Sequence, residues 1–179
     1  MWTKLTVAAA LAGALMVAAP ALAADPPKVV PTPAKPVPTD LYTGRWYEIA
    51  RTPNKLQGDC QGATNDFANW KAGAFQVVET CHKGALTGPA QVYNASGRVL
   101  SSDNARMKLG FMGGLISMEY WILDRADNDD WAIMDRHDGR YVWLLSRKPT
   151  LSPEDKAQAM AKLQQLGFNT GQLAFPQQQ

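Results

Sequence analysis

Gly44-Arg45-Trp46-Tyr47-Glu48-Ile49-Ala50-Arg51 is the stretch that decides the fold, and it has a downstream counterpart in Tyr141-Val142-Trp143-Leu144-Leu145-Ser146-Arg147. Both alternate between two faces, as half-buried strands do. Between them the chain is a succession of short apolar and aromatic segments separated by turn residues. The expected strands are 44–52, 63–70, 74–82, 89–95, 98–101 with 105–111, 116–124, 130–135 and 140–147. The breakers are Lys71-Ala72-Gly73, Gly84 to Gly88, Asn94 to Gly97, Asp127 to Asp130 and His137-Asp138-Gly139. Strands at hairpin spacing make a sandwich or a barrel, and the pattern alone does not choose between them.

Downstream, Ser152-Pro153-Glu154-Asp155 starts a helix: serine caps, proline suits the first helical position, and the acids complement the dipole. Met160, Leu163 and Leu166 form its apolar stripe, Gly167 stops it, and Gln172 to Phe175 reads as a last short strand. Upstream, Asp25 to Pro38 carries six prolines and almost no periodicity, which predicts an extended tether over 24–38 that cannot enter a sheet. Asp40-Leu41-Tyr42 predicts a short turn ahead of the first strand.

The first residues read as a processing segment. Lys4 supplies a positive charge, Leu5 to Ala19 is an apolar run too short for a comfortable membrane span, and Pro20-Ala21-Leu22-Ala23 ends in an Ala-x-Ala cleavage site. The expected organisation is a signal peptide over 1–23, the tether, and one domain over 39–179, released as a soluble periplasmic or secreted product. Loss of Lys4 with the leader takes the formal charge from +2 to +1. That near-neutrality, with no Lys/Arg run, argues against a nucleic-acid surface. Cys60 and Cys81, the two cysteines of the chain, suit a disulfide in an exported protein; metal ligation is the rival, but no histidine pair accompanies them.

Gly-x-Trp-Tyr opening the first strand, with an arginine closing the last long one, resembles the lipocalin family, and Trp-Tyr-Glu-Ile-Ala-Arg with Trp-Leu-Leu-Ser-Arg-Lys-Pro-Thr resembles its bacterial branch. The resemblance covers residues 38–176. It implies an all-β fold with one C-terminal helix, an eight-stranded antiparallel up-and-down barrel. Gly44, Trp46 and Arg147 would then form the structural motif, with the indole across the closed floor and the guanidinium over it. Two departures stand out. No cysteine stands near the cleavage site, unlike bacterial members that are outer-membrane lipoproteins, and Asp127-Asn128-Asp129-Asp130 occupies the turn where the family often shows Thr-Asp-Tyr.

Strand parity converts that floor into a lining, since successive residues face opposite sides. Trp46 inward brings Glu48 and Ala50 inward, and Arg147 at the floor brings Leu145, Trp143 and Tyr141 inward, leaving Val142, Leu144 and Ser146 against the helix. Alignment with the family pattern extends the lining to Phe67, Val77, Tyr93, Met107, Leu109, Phe111, Trp121, Leu123, Ala132 and Met134. Glu79 and Glu119 are awkward residues whose parity admits an inward position; Glu119 or Tyr93 is a candidate to orient a ligand headgroup, and Glu48 is expected beside Arg147. The lining is what a carrier of a fatty acid, lysophospholipid or similar lipid needs, or equally an ordinary filled core. The expected function is non-catalytic carriage with no cofactor and no metal, with transient membrane contact as a further partner interaction and the oligomeric state left open.

Other chemistry finds weaker support in the sequence. A thiol enzyme needs a free Cys60 or Cys81, a hydrolase triad needs a positioned histidine, and a haem or pigment binder would use His82 or His137, which fall at a strand end and in a turn. Leu109 to Ile116 is glycine-rich but lacks the lysine and helix of a phosphate loop, so it reads as a hairpin. Asp127 to Asp130 lacks the spacing of a calcium loop.

Overall fold

Each strand pairs antiparallel with the next, and the last returns to the first. The computed structural model describes Pro27 and residues 29–179; the expected leader lies outside the described residues. The strands are β1 (Gly44–Arg51), β2 (Cys60–Lys71), β3 (Ala74–Lys83), β4 (Ala90–Val99), β5 (Arg106–Phe111), β6 (Ile116–Arg125), β7 (Trp131–Arg136) and β8 (Val142–Ser146), followed by helix α1 (Pro153–Gln165). Pairing of β1 with β8 closes an eight-stranded barrel, which removes both sheet edges. One end is closed by a 3-10 turn, Thr39–Tyr42, whose Leu41 and Tyr42 are buried. The loops after β1, β3, β5 and β7 surround the other end, the mouth.

One of the expected turns is not a turn. Lys71-Ala72-Gly73 is a turn as expected, with Ala72 and Gly73 both at positive φ, the tight hairpin geometry that matches strand twist. Asn94 to Gly97 is not a turn: β4 runs unbroken through it. Gly97 faces Phe75 across the ladder, and a Cβ there would stand 2.1 Å from a ring carbon of Phe75. The glycine makes room for an aromatic ring rather than for a bend.

Helix α1 covers the outer wall of the barrel. Ser152 accepts a hydrogen bond from the Asp155 amide at 3.1 Å. At the other end the Phe168 amide donates to the Leu163 carbonyl (3.0 Å) and the Gly167 amide to Gln164 (2.9 Å), a left-handed glycine stop at φ 89°. Ala159 and Leu163 pack on Leu123, Ile133, Val142 and Leu144. The expected final strand reduces to a single bridge, Arg51 with Ala174. Asn169 turns the chain back over Gly171 before it, and Pro176 after it has no amide to continue a ladder.

The proline-rich stretch forms no strand, yet its C-terminal part is no free tether. The Ala34 amide donates to the Leu123 carbonyl and the Val37 amide to Asp103, both at 2.8 Å. Arg125 donates to the Pro36 carbonyl, Lys35 reaches Asp127 at 2.9 Å, and Val37 is buried in the core. Prolines bar the ladder, but the amides of Ala34 and Val37 remain, and both are satisfied on the barrel.

Candidate functional site: the barrel lumen

The floor is built from the residues that identify the strand pair. Arg147 lies over the Trp46 ring and donates to the carbonyls of Thr43 (2.6 Å) and Asp40 (2.7 Å), while Trp46 Nε1 donates to Leu41 (2.9 Å). Gly44 at φ 67° turns the chain into β1, and a Cβ added there would stand 3.6 Å from Arg147 Nη1. Above it Phe67, Val77, Met107, Leu109, Met134, Ala132 and Leu145 point inward and join one buried cluster with Tyr42 and Phe75. Their side chains leave water almost no surface to touch, so this half of the barrel is filled.

Towards the mouth the picture changes. Phe111, Trp143 and Met118 point inward but are only partly buried, and Tyr141, just before β8, is half-buried beside Trp143 with ring centroids 6.4 Å apart. Tyr93 shares the inward row with Glu79 and sits at the rim, 45% exposed. The lumen is therefore dry below and open above. A separate hollow of about 580 Å³ between Gln76, Arg98, Lys108 and Ser117 lies on the outer wall; it is an open trough that would enclose no ligand.

Three expected lining residues face the other way. Glu119, Trp121 and Leu123 lie on the outer face of β6, whose inward residues are Met118, Tyr120 and Ile122. Trp121 Nε1 donates to Glu119 at 2.7 Å and Arg106 stacks over the indole, so this pair is a surface contact and Glu119 orients no headgroup. Leu123 on the outer face of β6 packs under the helix, and the N-terminal segment bonds to its carbonyl, so apolar residues stand on both faces of this part of the strand and the pattern carries no phase. Ala50 is likewise outward: a bulge between Glu48 and Ala50 shifts the register, so Arg51 turns inward instead.

That bulge creates a polar layer midway up the barrel. Glu48 is not beside Arg147 at the floor. It pairs with buried Arg51 at 3.3 Å and accepts from Gln57 Nε2 at 2.8 Å, and Arg51 also donates to the Gln57 and Cys60 carbonyls. Burial pushes the Glu48 carboxyl up, against the opposing pull of Arg51 and Gln57. Asn65, 4% exposed, stands beside Glu48, but its amide nitrogen closes no hydrogen bond. Glu79, opposite Asn65 in the ladder, faces the lumen with no ion-pair partner; burial, then the Glu48 charge, pushes it up to about 7. Burial also raises the Tyr120 phenol, with the Glu79 charge adding to it. Arg136, at the rim, is held by Asp138 and stacks over Tyr141.

Glu79 was legible as an awkward inward charge; Asn65, Gln57 and Tyr120 were not singled out by any motif, and Arg51 closed the Trp-Tyr-Glu-Ile-Ala-Arg motif with no inward place assigned to it. Arg51 needed the bulge, and Gln57 lies in a loop. Its side chain nevertheless links Glu48 to Trp143 Nε1, which it accepts at 3.2 Å. Cys60 and Cys81 are joined, Cα–Cα 5.4 Å, at the mouth end of β2 and β3, so no free thiol is present. His82 sits on the outer wall with Nδ1 3.1 Å from the Gly88 carbonyl, and His137 is exposed beside outward Trp121. Neither histidine faces the lumen.

Comparison with known proteins agrees with this architecture. Residues 37–178 match the family model described as a lipocalin-like domain. The chain is 30% identical over 159 residues to the outer membrane lipoprotein Blc of Vibrio cholerae, covering 84% of this chain and 90% of that one. It is 29% identical over 176 residues to the protein of the same name from Escherichia coli K12, covering 96% and 95%. Among solved structures, insecticyanin from the tobacco hornworm Manduca sexta superposes with a TM-score of 0.67 over 88% of each chain at 14% identity, a likeness of fold.

Proposed function

We propose that this chain, which belongs to the lipocalin family, binds a small hydrophobic ligand of fatty-acid or lysophospholipid size in the upper half of its barrel and carries it without catalysis. One observation carries this reading: inward Phe111, Met118, Trp143 and Tyr93 stay accessible at one end of a barrel whose other end is packed shut. Apolar surface held open to water is a cost unless something covers it, and each methylene it removes from water contributes about 0.8 kcal/mol. Met118 adds a lining that adapts to chains of different shape.

The rim supports loading from a lipid surface. Leu56 (78% exposed), Met112 (71%) and Leu115 (81%) stand on loops around the open end. These side chains cover no part of the core, and their place beside the entrance suits shallow contact with a bilayer during exchange. The similarity to outer-membrane lipoproteins supports an exported, periplasmic setting.

The test is a titration of the purified mature chain with a fluorescent polyene fatty acid, followed by displacement with single-chain lipids. Saturable binding that quenches Trp143, and that Trp143→Ala weakens by about tenfold, is the expected result. Absence of saturable binding by any apolar probe would refute the carrier reading.

A further inference from the structure

We infer that the polar layer beneath the open half of the lumen is a subsite for a protonated amine, held by Glu79 and Asn65, so that the barrel selects single-chain amphiphiles that enter amine end first. The inference rests on the carrier reading and narrows it.

The layer sits where the bottom of a ligand would come to rest. Below Glu79 the next inward residue of its strand is Val77, part of the filled floor; beside it on β4, Tyr93 is exposed to water. A ligand end reaching this depth therefore meets the layer and not the floor aromatics. The charges of the layer are unequal in how they are answered. Arg51 is satisfied by Glu48 and two carbonyls, and Arg136 by Asp138. Glu79 is the lumen carboxylate that forms no ion pair and accepts no side-chain hydrogen bond among the described residues. A lumen carboxylate without an ion-pair partner favours a ligand that brings the missing positive charge, because an ammonium–carboxylate contact in a water-poor site is stronger than its neutral counterpart.

Asn65 is the second, independent indication. Its amide is buried, and its nitrogen points toward Glu48 without closing a hydrogen bond, although it occupies the ladder position directly beside Glu79. A buried, unanswered amide is uncommon, and it usually marks a place for a missing partner. Its carbonyl oxygen gives an ammonium a second acceptor, and its N–H groups serve a hydroxyl or ester oxygen adjoining the amine. A carboxylate or phosphate at the same depth would instead confront Glu79 and Glu48 together. Around Glu79 stand Asn65 opposite it on β2 and Tyr93 opposite it on β4, with Glu48 from β1 and Tyr120 from β6 close enough for their charges to couple; the lumen cations, Arg51 on β1 and Arg136 on β7, are both engaged elsewhere.

The experiment compares decylamine, decanol and decanoate by calorimetric titration of the mature chain at pH 8, where the amine and Glu79 are both charged. The amine should bind about tenfold or more tightly than decanoate, and Glu79→Gln should erase that gap while leaving decanol within about twofold. If the variant does not fold, the native chain supplies the second reading: the preference for the amine must shrink as pH falls from 8 to 5.5 and Glu79 takes up a proton. Decanoate binding as well as the amine, or a gap unmoved by both the substitution and the pH change, overturns the subsite and leaves the carrier standing. Binding of none of the three overturns both.

Discussion

The guanidinium of Arg147 lies 3.9 Å from the ring centroid of Trp46, and the two residues come from opposite ends of the barrel sequence. The contact does more than stack. The same guanidinium holds the carbonyls of Asp40, Thr43 and Arg45, which fixes the 3-10 turn over the floor. A planar fork makes these bonds and the stack together, whereas an ammonium cannot.

Arg147→Lys is therefore expected to destabilise the fold by about 1–3 kcal/mol, the range of a lost stack plus charge-assisted hydrogen bonds. Urea denaturation should show a lower midpoint at unchanged slope. Ligand affinity should stay the same, because the floor beneath the lumen is filled.

Reduction of the Cys60–Cys81 bridge frees a segment with a sequence separation of 21. The chain-entropy model puts its contribution at about 3 kcal/mol. Both cysteines stand at the mouth, and the bridge ties the loop that carries Gln57 to the β3 wall. The double variant Cys60→Ser, Cys81→Ser should lose that stability in denaturant melts, and amide exchange should quicken around 52–62 before it quickens at the floor.

How much of this was readable without the structure follows from where each face is buried. On β5, Met107, Leu109 and Phe111 alternate with Arg106, Lys108 and Gly110, and their inward direction is plain in the sequence. On β8 the Arg147 anchor supplied the phase, so Leu145 and Trp143 were placed correctly among two apolar faces. β6 had no such anchor, and Trp121 and Leu123 were put one residue out of phase. The register bulge in β1 leaves no mark in composition, so the inward turn of Arg51 and the outward turn of Ala50 could not be foreseen. Glycine was ambiguous in the same way: Gly73 makes a turn and Gly97 makes space.

Gly97→Ala tests that second role. A methyl would enter the Phe75 ring, which is itself buried in the floor cluster and cannot retreat. Overpacking of this kind costs about 1–3 kcal/mol. Adding Phe75→Leu should recover part of the loss, a coupling that a double-mutant cycle reads directly; simple additivity of the two changes would show that the glycine serves the backbone and not the ring.

Stability should fall as pH rises, through two carboxyls. Asp135 lies on the outer face of β7, fully buried, with no hydrogen-bond partner for either oxygen; burial, then the Asp138 charge, pushes it up to about 8. Glu79 is raised to about 7. In both cases the native state holds a proton that the unfolded chain has already released. Stability is then complete below the ordinary carboxyl range and declines until pH passes the raised values, by at most about 1.4 kcal/mol per pH unit for each group. Chemical denaturation between pH 4 and pH 9 should trace that decline, and Asp135→Asn should flatten its upper part. A chain equally stable at pH 5 and pH 8 would contradict the buried, unpaired state of Asp135.

The rim makes the last prediction. Leu115 and Met112 cover nothing in the barrel, so replacing both with serine should leave the denaturation midpoint within about 0.5 kcal/mol of the native value. Each side chain moved from water into a bilayer interior would contribute about 1.5–3 kcal/mol, and even partial insertion of the pair amounts to a tenfold or larger change in partitioning. Co-sedimentation with neutral phosphatidylcholine vesicles should therefore drop by that factor in the double variant and respond little to added salt, since the contact is apolar. Transfer of a fluorescent lipid from vesicle to barrel should slow in proportion, while affinity for the same lipid presented as a monomer stays unchanged. Equal transfer rates for both proteins would mean that the ligand reaches the lumen through water and that the rim plays no part in loading.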